Sequence, residues 1–243
     1  MRSSRTYRWL LNLVFPPLCP ICQTLLDDKE NDLSLCTTCR TAIKPLCPPF
    51  CPLCGLPVPS GDGEGYLCGP CLEEKRHFEV HRSSGLYEGV LKEAIHHFKY
   101  GGVFSLVRVF GGFMQPTLQA LSQEYPVDVM IPVPLYIRRL RERGFNQALL
   151  LVKELNKRFG IPYEGRALKK IKDTPVQIFL KKRERKKNLT GAFQVKDTEA
   201  IQGKSVLLVD DVYTTGATVN ECSRTLLKAG AERVAVLTVA RAL

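Results

Sequence analysis

From about residue 80 the chain alternates short apolar runs with longer stretches of helical periodicity. Arg82 to Tyr87, Val127 to Val133 and Ser205 to Val209 read as strands, and the last, branched and leucine-rich, suits a strand buried on both faces of a parallel sheet. Val90 to Phe98 reads as a helix with Leu91, Ile95 and Phe98 on one face, followed by a loop at Lys99 to Gly102. A second helical stretch is expected to break near Gly111, Gly112 and Pro116, and a third runs from Val219 to Ala229 with Gly230 as its C-terminal cap. The pattern predicts an α/β domain over residues 80–243.

Before residue 80 the periodicity is replaced by cysteines. Nine of the ten lie before residue 72, and eight form four C-x-x-C knuckles: Cys19/Cys22, Cys36/Cys39, Cys51/Cys54 and Cys68/Cys71. A shift of 32 residues superimposes the first four on the second four, and Pro16-Pro17-Leu18-Cys19 on Pro48-Pro49-Phe50-Cys51. Each unit is C-x2-C-x13-C-x2-C, close to the spacing of a structural zinc site. Four thiolates fill a tetrahedron around Zn2+ and leave no open position for catalysis, so one or two structural ions are expected. Duplication of whole units favours sequential pairing over an interleaved cross-brace. The region, residues 16–76, is a small Cys-rich double ribbon that needs metal to fold. It serves either as a docking module or as a rigid cap. Cys47 and Cys222 are read as buried thiols, and His77 and His81 as surface side chains, because eight thiols already satisfy two ions.

The 243 residues allow one sizeable core with a satellite, and no apolar run approaches the roughly 20 residues that span a bilayer. Trp9 to Phe15 follows Arg2, Arg5 and Arg8, but prolines 16 and 17 end it and no small-residue cleavage site follows, so residues 1–15 are expected to hold a short amphipathic helix. The formal charge is +11, of which the segment from Arg138 to Lys187 carries +12. Such a block beside a phosphate site points to an anionic substrate or nucleic acid, although its aromatic content is thin for base stacking.

The densest chemistry lies in Val206 to Thr218, VLLVDDVYTTGAT. A strand ends at Asp210 and Asp211, where ligands sit in open α/β sheets. Three threonine hydroxyls around Gly216, at the start of a helix, make an anion cradle. Carboxylates beside it accept hydrogen bonds from vicinal hydroxyls and help hold a divalent cation, so the expected ligand is a sugar phosphate. A Walker B reading fails: Gly203-Lys204-Ser205 has Thr198 where the first glycine belongs and precedes a strand.

This segment resembles the phosphoribosyl-pyrophosphate (PRPP) motif of type I phosphoribosyltransferases. The resemblance implies that PRPP is held by Val209, Asp210, Asp211, Val212, Tyr213, Thr214, Thr215, Gly216, Ala217 and Thr218 together with Lys99, with Mg2+ on the pyrophosphate. Arginines just beyond the strand Val127 to Val133, namely Arg139, Arg141 and Arg143, can bind pyrophosphate in bidentate fashion. The same resemblance implies catalytic roles for Asp210, Asp211, Arg143 and Arg185. The basic stretch Thr174 to Phe193, within a segment of about 172–193, reads as a mobile hood that brings Arg185 and Lys187 to the leaving group.

The knuckles, KYGG at 99–102, PVPL with RERGFNQA at 132–148, T-x-x-Q-x-x-L at 174–180, R-x-x-N-L-x-G-A-F at 185–193 and the PRPP motif occur in the order seen in the ComF family of competence-associated proteins. Nearly the whole chain is covered. Phe179, Lys181 and Lys182 depart from the expected hood. The resemblance implies a type I phosphoribosyltransferase-like parallel sheet behind a double zinc ribbon, in a cytoplasmic transferase acting in DNA uptake. The alternative is a non-catalytic module that binds single-stranded DNA or a competence helicase.

Overall fold

The computed structural model describes residues 16–27, 34–58, 66–174 and 189–243. The expected helix at 1–15 and the hood residues 175–188, with Phe179, Lys181, Lys182, Arg185 and Lys187, lie outside the described residues.

Four parallel strands form the sheet: β1 (Val80–Leu86), β2 (Val129–Pro132), β5 (Ser205–Tyr213) and β6 (Arg233–Arg241), in the order β1-β6-β5-β2. The central pair explains the apolar runs, because Val206 to Val209 and Val234 to Ala240 are covered on both faces. Beyond β2, Tyr163 forms a parallel bridge with Met130 at the sheet edge. One face is covered by α3 (Gly89–Tyr100), α4 (Leu106–Glu124) and α6 (Gln147–Phe159), whose buried Phe98, Phe110, Met114, Leu151 and Leu155 share one cluster with Leu207 and Leu237. The other is covered by α7 (Ala217–Lys228) through Val219, Cys222 and Leu226. Between β2 and α6 lies α5 (Ile137–Arg143), stopped by Gly144 in the left-handed region. A short antiparallel pair, β3 (Leu168–Lys170) with β4 (Phe193–Val195), brackets the basic stretch.

Three details differ from the sequence pattern. The strand β5 continues through both aspartates to Tyr213, because β6 pairs with it as far as Tyr213↔Arg241. The helix α3 keeps Lys99 and Tyr100 in its last turn, and the loop begins at Gly101. The helix α4 is continuous across Pro116, since its buried row Val109, Phe110, Met114, Leu118 and Leu121 holds it to the core on both sides of the missing N–H. Gly111 does not break that helix; a Cβ there would meet Cγ of Glu154 at 2.5 Å, so the glycine lets α4 and α6 approach. The end of α7 follows expectation: Gly230, at φ 101°, closes it, with its N–H on Leu227 O and that of Ala231 on Leu226 O.

Each ribbon is a hairpin knuckle followed by a short helix, α1 (Thr37–Thr41) or α2 (Gly69–Glu73), that begins one residue after its third cysteine. Cys47, in the linker, is exposed and not buried as expected, because only its neighbour Leu46 is tied to the core, through Ser84 O.

Candidate functional site

Two cysteine clusters form, Cys19, Cys22, Cys36 and Cys39, and Cys51, Cys54, Cys68 and Cys71, with all four sulfurs of each within 4.8 Å of one another. The pairing is sequential. Burial pushes the Cys39 and Cys71 thiols up, whereas hydrogen bonding to Thr24 lowers Cys22 to about 6. At Cys51 burial is outweighed by the surrounding backbone N–H groups, which lower it to about 7, so each cluster pairs an acidic thiol with one that keeps its proton until a cation arrives. Four thiols at this separation, with no space for a substrate, fit a structural Zn2+.

At the carboxyl ends of β2 and β5 a cleft of about 250 Å³ collects groups from several segments. Asp210 and Asp211 come from β5, Thr218 from α7, Lys99 and Tyr100 from α3, Arg139 and Arg143 from α5, and Lys170 and Thr174 from the β3 arm. Arg139 and Arg143 face the cleft together because they are four residues apart on one helix. Arg141 points the other way and is exposed.

Adjacent residues on a strand face opposite sides, and the two aspartates have different surroundings. Asp211 is 4% exposed, forms an ion pair with Lys99, and accepts from Gln147 Nε2 at 3.1 Å. Burial pushes its carboxyl up, but the Lys99 ammonium outweighs this and holds it below the ordinary range. The same pair raises Lys99, against the downward pull of burial. Asp210 is half-buried, accepts from the Asp211 N–H at 2.9 Å, and has no ion pair among the described residues. Burial, then the Asp211 charge, pushes it well above the usual carboxylate value. Gln147 in turn accepts from Arg143 Nη1 at 2.6 Å, and the Arg143 guanidinium stands 5.0 Å from the centroid of the Tyr100 ring. Arg143, Gln147, Asp211 and Lys99 are thus one polar chain across the cleft.

Next to it a hollow of about 100 Å³ is walled by Asp210, Val212, Tyr213, Thr214, Gly216, Ala217 and Thr218. Gly216 caps α7 at φ 76°, and Thr215 Oγ1 accepts from the Ala217 N–H at 3.4 Å. The converging N–H groups and the helix N-terminus suit an oxyanion. Val209 is fully buried in the sheet and reaches neither space, and Thr215 faces a neighbouring cavity with Arg76 and Arg224. Gln147, Tyr100, Lys170 and Thr174 were missed by sequence reasoning; the available signal was Gln147 four residues after Arg143.

His81 is not a surface residue: it is wholly buried in β1, its ring 3.9 Å from that of Tyr213 in a stacked pair. The second ribbon docks on β1 and covers it, with its Leu53 carbonyl accepting from the His81 N–H at 2.8 Å. His77, half-buried, binds α7 through its N–H to Asn220 Oδ1.

A parallel α/β sheet with an acidic strand end, a phosphate loop and a paired-cysteine ribbon before it defines a phosphoribosyltransferase-type domain behind a double zinc ribbon. Family models agree: residues 10–74 match the double zinc ribbon domain and residues 146–243 the phosphoribosyl transferase domain. The chain is 34% identical over 179 residues to competence protein F of Haemophilus influenzae, covering 72% of this chain and 78% of that protein. It is 32% identical over 237 residues to the DNA utilization protein YhgH of Salmonella typhi, covering 95% of this chain and 100% of the relative. The chain belongs to the ComF family. Among solved structures, an adenine phosphoribosyltransferase of Saccharomyces cerevisiae is similar at 15% identity and a TM-score of 0.38, over 57% of this chain and 69% of that one. No helix among the described residues is long and apolar enough to cross a membrane.

Proposed function

We propose that the cleft binds Mg-PRPP and that the protein transfers the phosphoribosyl group to an acceptor with release of pyrophosphate, in the cytoplasm, during use of imported DNA. The observation that carries this reading is the meeting of Asp210, Asp211, Lys99, Arg139 and Arg143 in one cleft, with the hollow walled by Thr214, Gly216, Ala217 and Thr218 next to it. The loop would take the 5-phosphate and the aspartates the ribose hydroxyls. Arg139 and Arg143 would take the leaving pyrophosphate, where stabilising the developing charge contributes most. Breaking the C1–O bond gives a cation-like ribose that the acceptor attacks at C1 while losing its proton. The carboxylates of Asp210 and Asp211 are hard oxygen donors that fit Mg2+, which supplies charge neutralisation on the pyrophosphate. The eight cysteines, as metal thiolates, suit a reducing compartment.

Calorimetry with Mg-PRPP tests the reading. Replacing Asp210→Asn and Asp211→Asn together removes two charge-assisted hydrogen-bond acceptors, each worth about 1.5–3 kcal/mol, so affinity should fall by at least about 100-fold. Equal affinity would overturn it. Because Asp210 keeps its proton above the ordinary range, wild-type affinity should climb as pH rises through that elevated value, and Asp210→Asn should flatten the climb.

A second reading, a scaffold that binds single-stranded DNA or a helicase partner, draws support from one feature. The cleft opens past Pro134, Leu135 and Lys170 into a groove of about 560 Å³ bordered by Arg166, Lys169 and Lys196. It predicts DNA affinity that falls steeply with salt and is indifferent to the aspartate changes. Absence of DNA binding at low salt would remove it.

A further inference from the structure

The phosphate loop rests on a platform anchored to the second cysteine cluster. Gly216 turns the loop so close to Tyr213 that a Cβ would collide with that ring. The Tyr213 ring stacks on His81 at 3.9 Å and 17°, and the Arg241 guanidinium stands 4.7 Å from its centroid. Both supports converge on Cys54. Its carbonyl lies 2.8 Å from His81 Nδ1 and accepts from Arg241 Nη1 at 2.5 Å, while Arg241 Nη2 reaches Cys54 Sγ at 3.8 Å. A carbonyl only accepts, so Nδ1 carries the hydrogen, and Nε2 accepts from the hydroxyl of Thr238 or Ser83, at 3.0 and 3.1 Å. Burial keeps the imidazole neutral, as this arrangement requires, with its pKa down at about 3. A second strap leaves the same ribbon at Arg76, whose Nη1 donates to the Thr215 carbonyl at 3.4 Å.

We propose that the second zinc cluster is part of the donor site: through Cys54 it fixes His81 and Arg241, these fix Tyr213, and Tyr213 fixes the phosphate loop. His81, Arg241 and Tyr213 are therefore positioning residues, and the first cluster, whose Cys19, Cys36 and Cys39 belong to the core cluster of Leu91, Ile95 and Phe98, has no such link to the phosphate loop among the described residues. The inference deepens the reading above, since it concerns the loop assigned there to the 5-phosphate. A loop held in its binding conformation by a metal-anchored stack spends less of its binding energy on ordering.

Hydrogen exchange of the loop amides at 214–220, in the zinc-loaded full chain without ligand, tests this directly, alongside calorimetry with ribose 5-phosphate. Cys71→Ala and His81→Leu should speed loop exchange at least about tenfold and weaken ribose 5-phosphate by about tenfold, whereas Cys39→Ala should leave both within about twofold. Should Cys71→Ala fail to fold, His81→Leu and Tyr213→Leu, shown by metal analysis to keep both zinc ions, decide alone. Unchanged exchange and affinity in those two variants, or an equal effect of Cys39→Ala and Cys71→Ala, overturns the proposal. If the wild type binds no ribose 5-phosphate, the transferase reading falls, and the exchange comparison still judges the coupling.

Discussion

In the first ribbon Gln23 stands at φ 61° on an exposed knuckle; 32 residues later Gly55 stands at φ 65° with the His81 carbonyl 2.6 Å from where a Cβ would go. The backbones around the two are copies. Gln23 N–H bonds Cys19 O as Gly55 N–H bonds Cys51 O, both at 2.9 Å, and Leu26 N–H bonds Pro17 O as Val58 N–H bonds Pro49 O. Even the sulfur contacts repeat, Cys22 with Cys36 and Cys54 with Cys68 at 3.5 Å. The surroundings do not repeat. Cys22 is exposed while Cys54 is buried against His81 and Arg241. Duplication reproduces a metal site, and docking decides what it is used for. A side chain is tolerated at a left-handed position that faces water and excluded at the equivalent position that faces a strand.

The largest test of this comparison is removal of all metal. Structural zinc contributes about 10–16 kcal/mol of folding free energy in small domains, so chelation should abolish exchange protection in residues 16–27, 34–58 and 66–76. Protection surviving in either ribbon would separate the two as folding units. Next comes Gly55→Gln, which forces a side chain against backbone in a left-handed conformation and should cost about 2–4 kcal/mol, or roughly 5–15 °C in thermal midpoint. A shift of less than a degree would mean that the ribbon does not dock where described. Third, limited alkylation during slow zinc withdrawal should label Cys22 before any cysteine of the second cluster, by peptide mass spectrometry, because only Cys22 of the eight is exposed. The smallest effect belongs to Gln23→Gly, which relieves the same left-handed strain, loses only the long exposed hydrogen bond from Gln23 Nε2 to Pro20 O at 3.5 Å, and should stabilise by at most about 1 kcal/mol. Destabilisation there would mean that the first knuckle is covered after all.

Much of this molecule was legible in the chain. Cysteine spacing anticipated both metal clusters, and VLLVDDVYTTGAT anticipated a strand, two acids and a phosphate-sized turn at one sheet end. Helical spacing correctly put Leu91, Ile95 and Phe98 inside. It misjudged the ends and interruptions, because Pro116 and the aspartates were read by local propensity while a packed face and a partner strand carried the elements onward. It also misplaced His81. A histidine in His81-Arg82-Ser83-Ser84 looks solvated until the Cys54 carbonyl and the Tyr213 ring, from 27 and 132 residues away, close around it.

By itself the sequence determined what is encoded within a few turns of chain: where strands and helices lie, which cysteines form each repeat, and which loop has the make-up of an anion cradle. These follow from periodicity and spacing, which act between near neighbours. Only the tertiary structure decided that Lys99 pairs with Asp211, that Arg143 faces the cleft while Arg141 does not, and that one of two equal ribbons lies under the phosphate loop. Those outcomes depend on burial and charge compensation among groups far apart in the chain, which have no energy to distinguish them until the sheet brings them together.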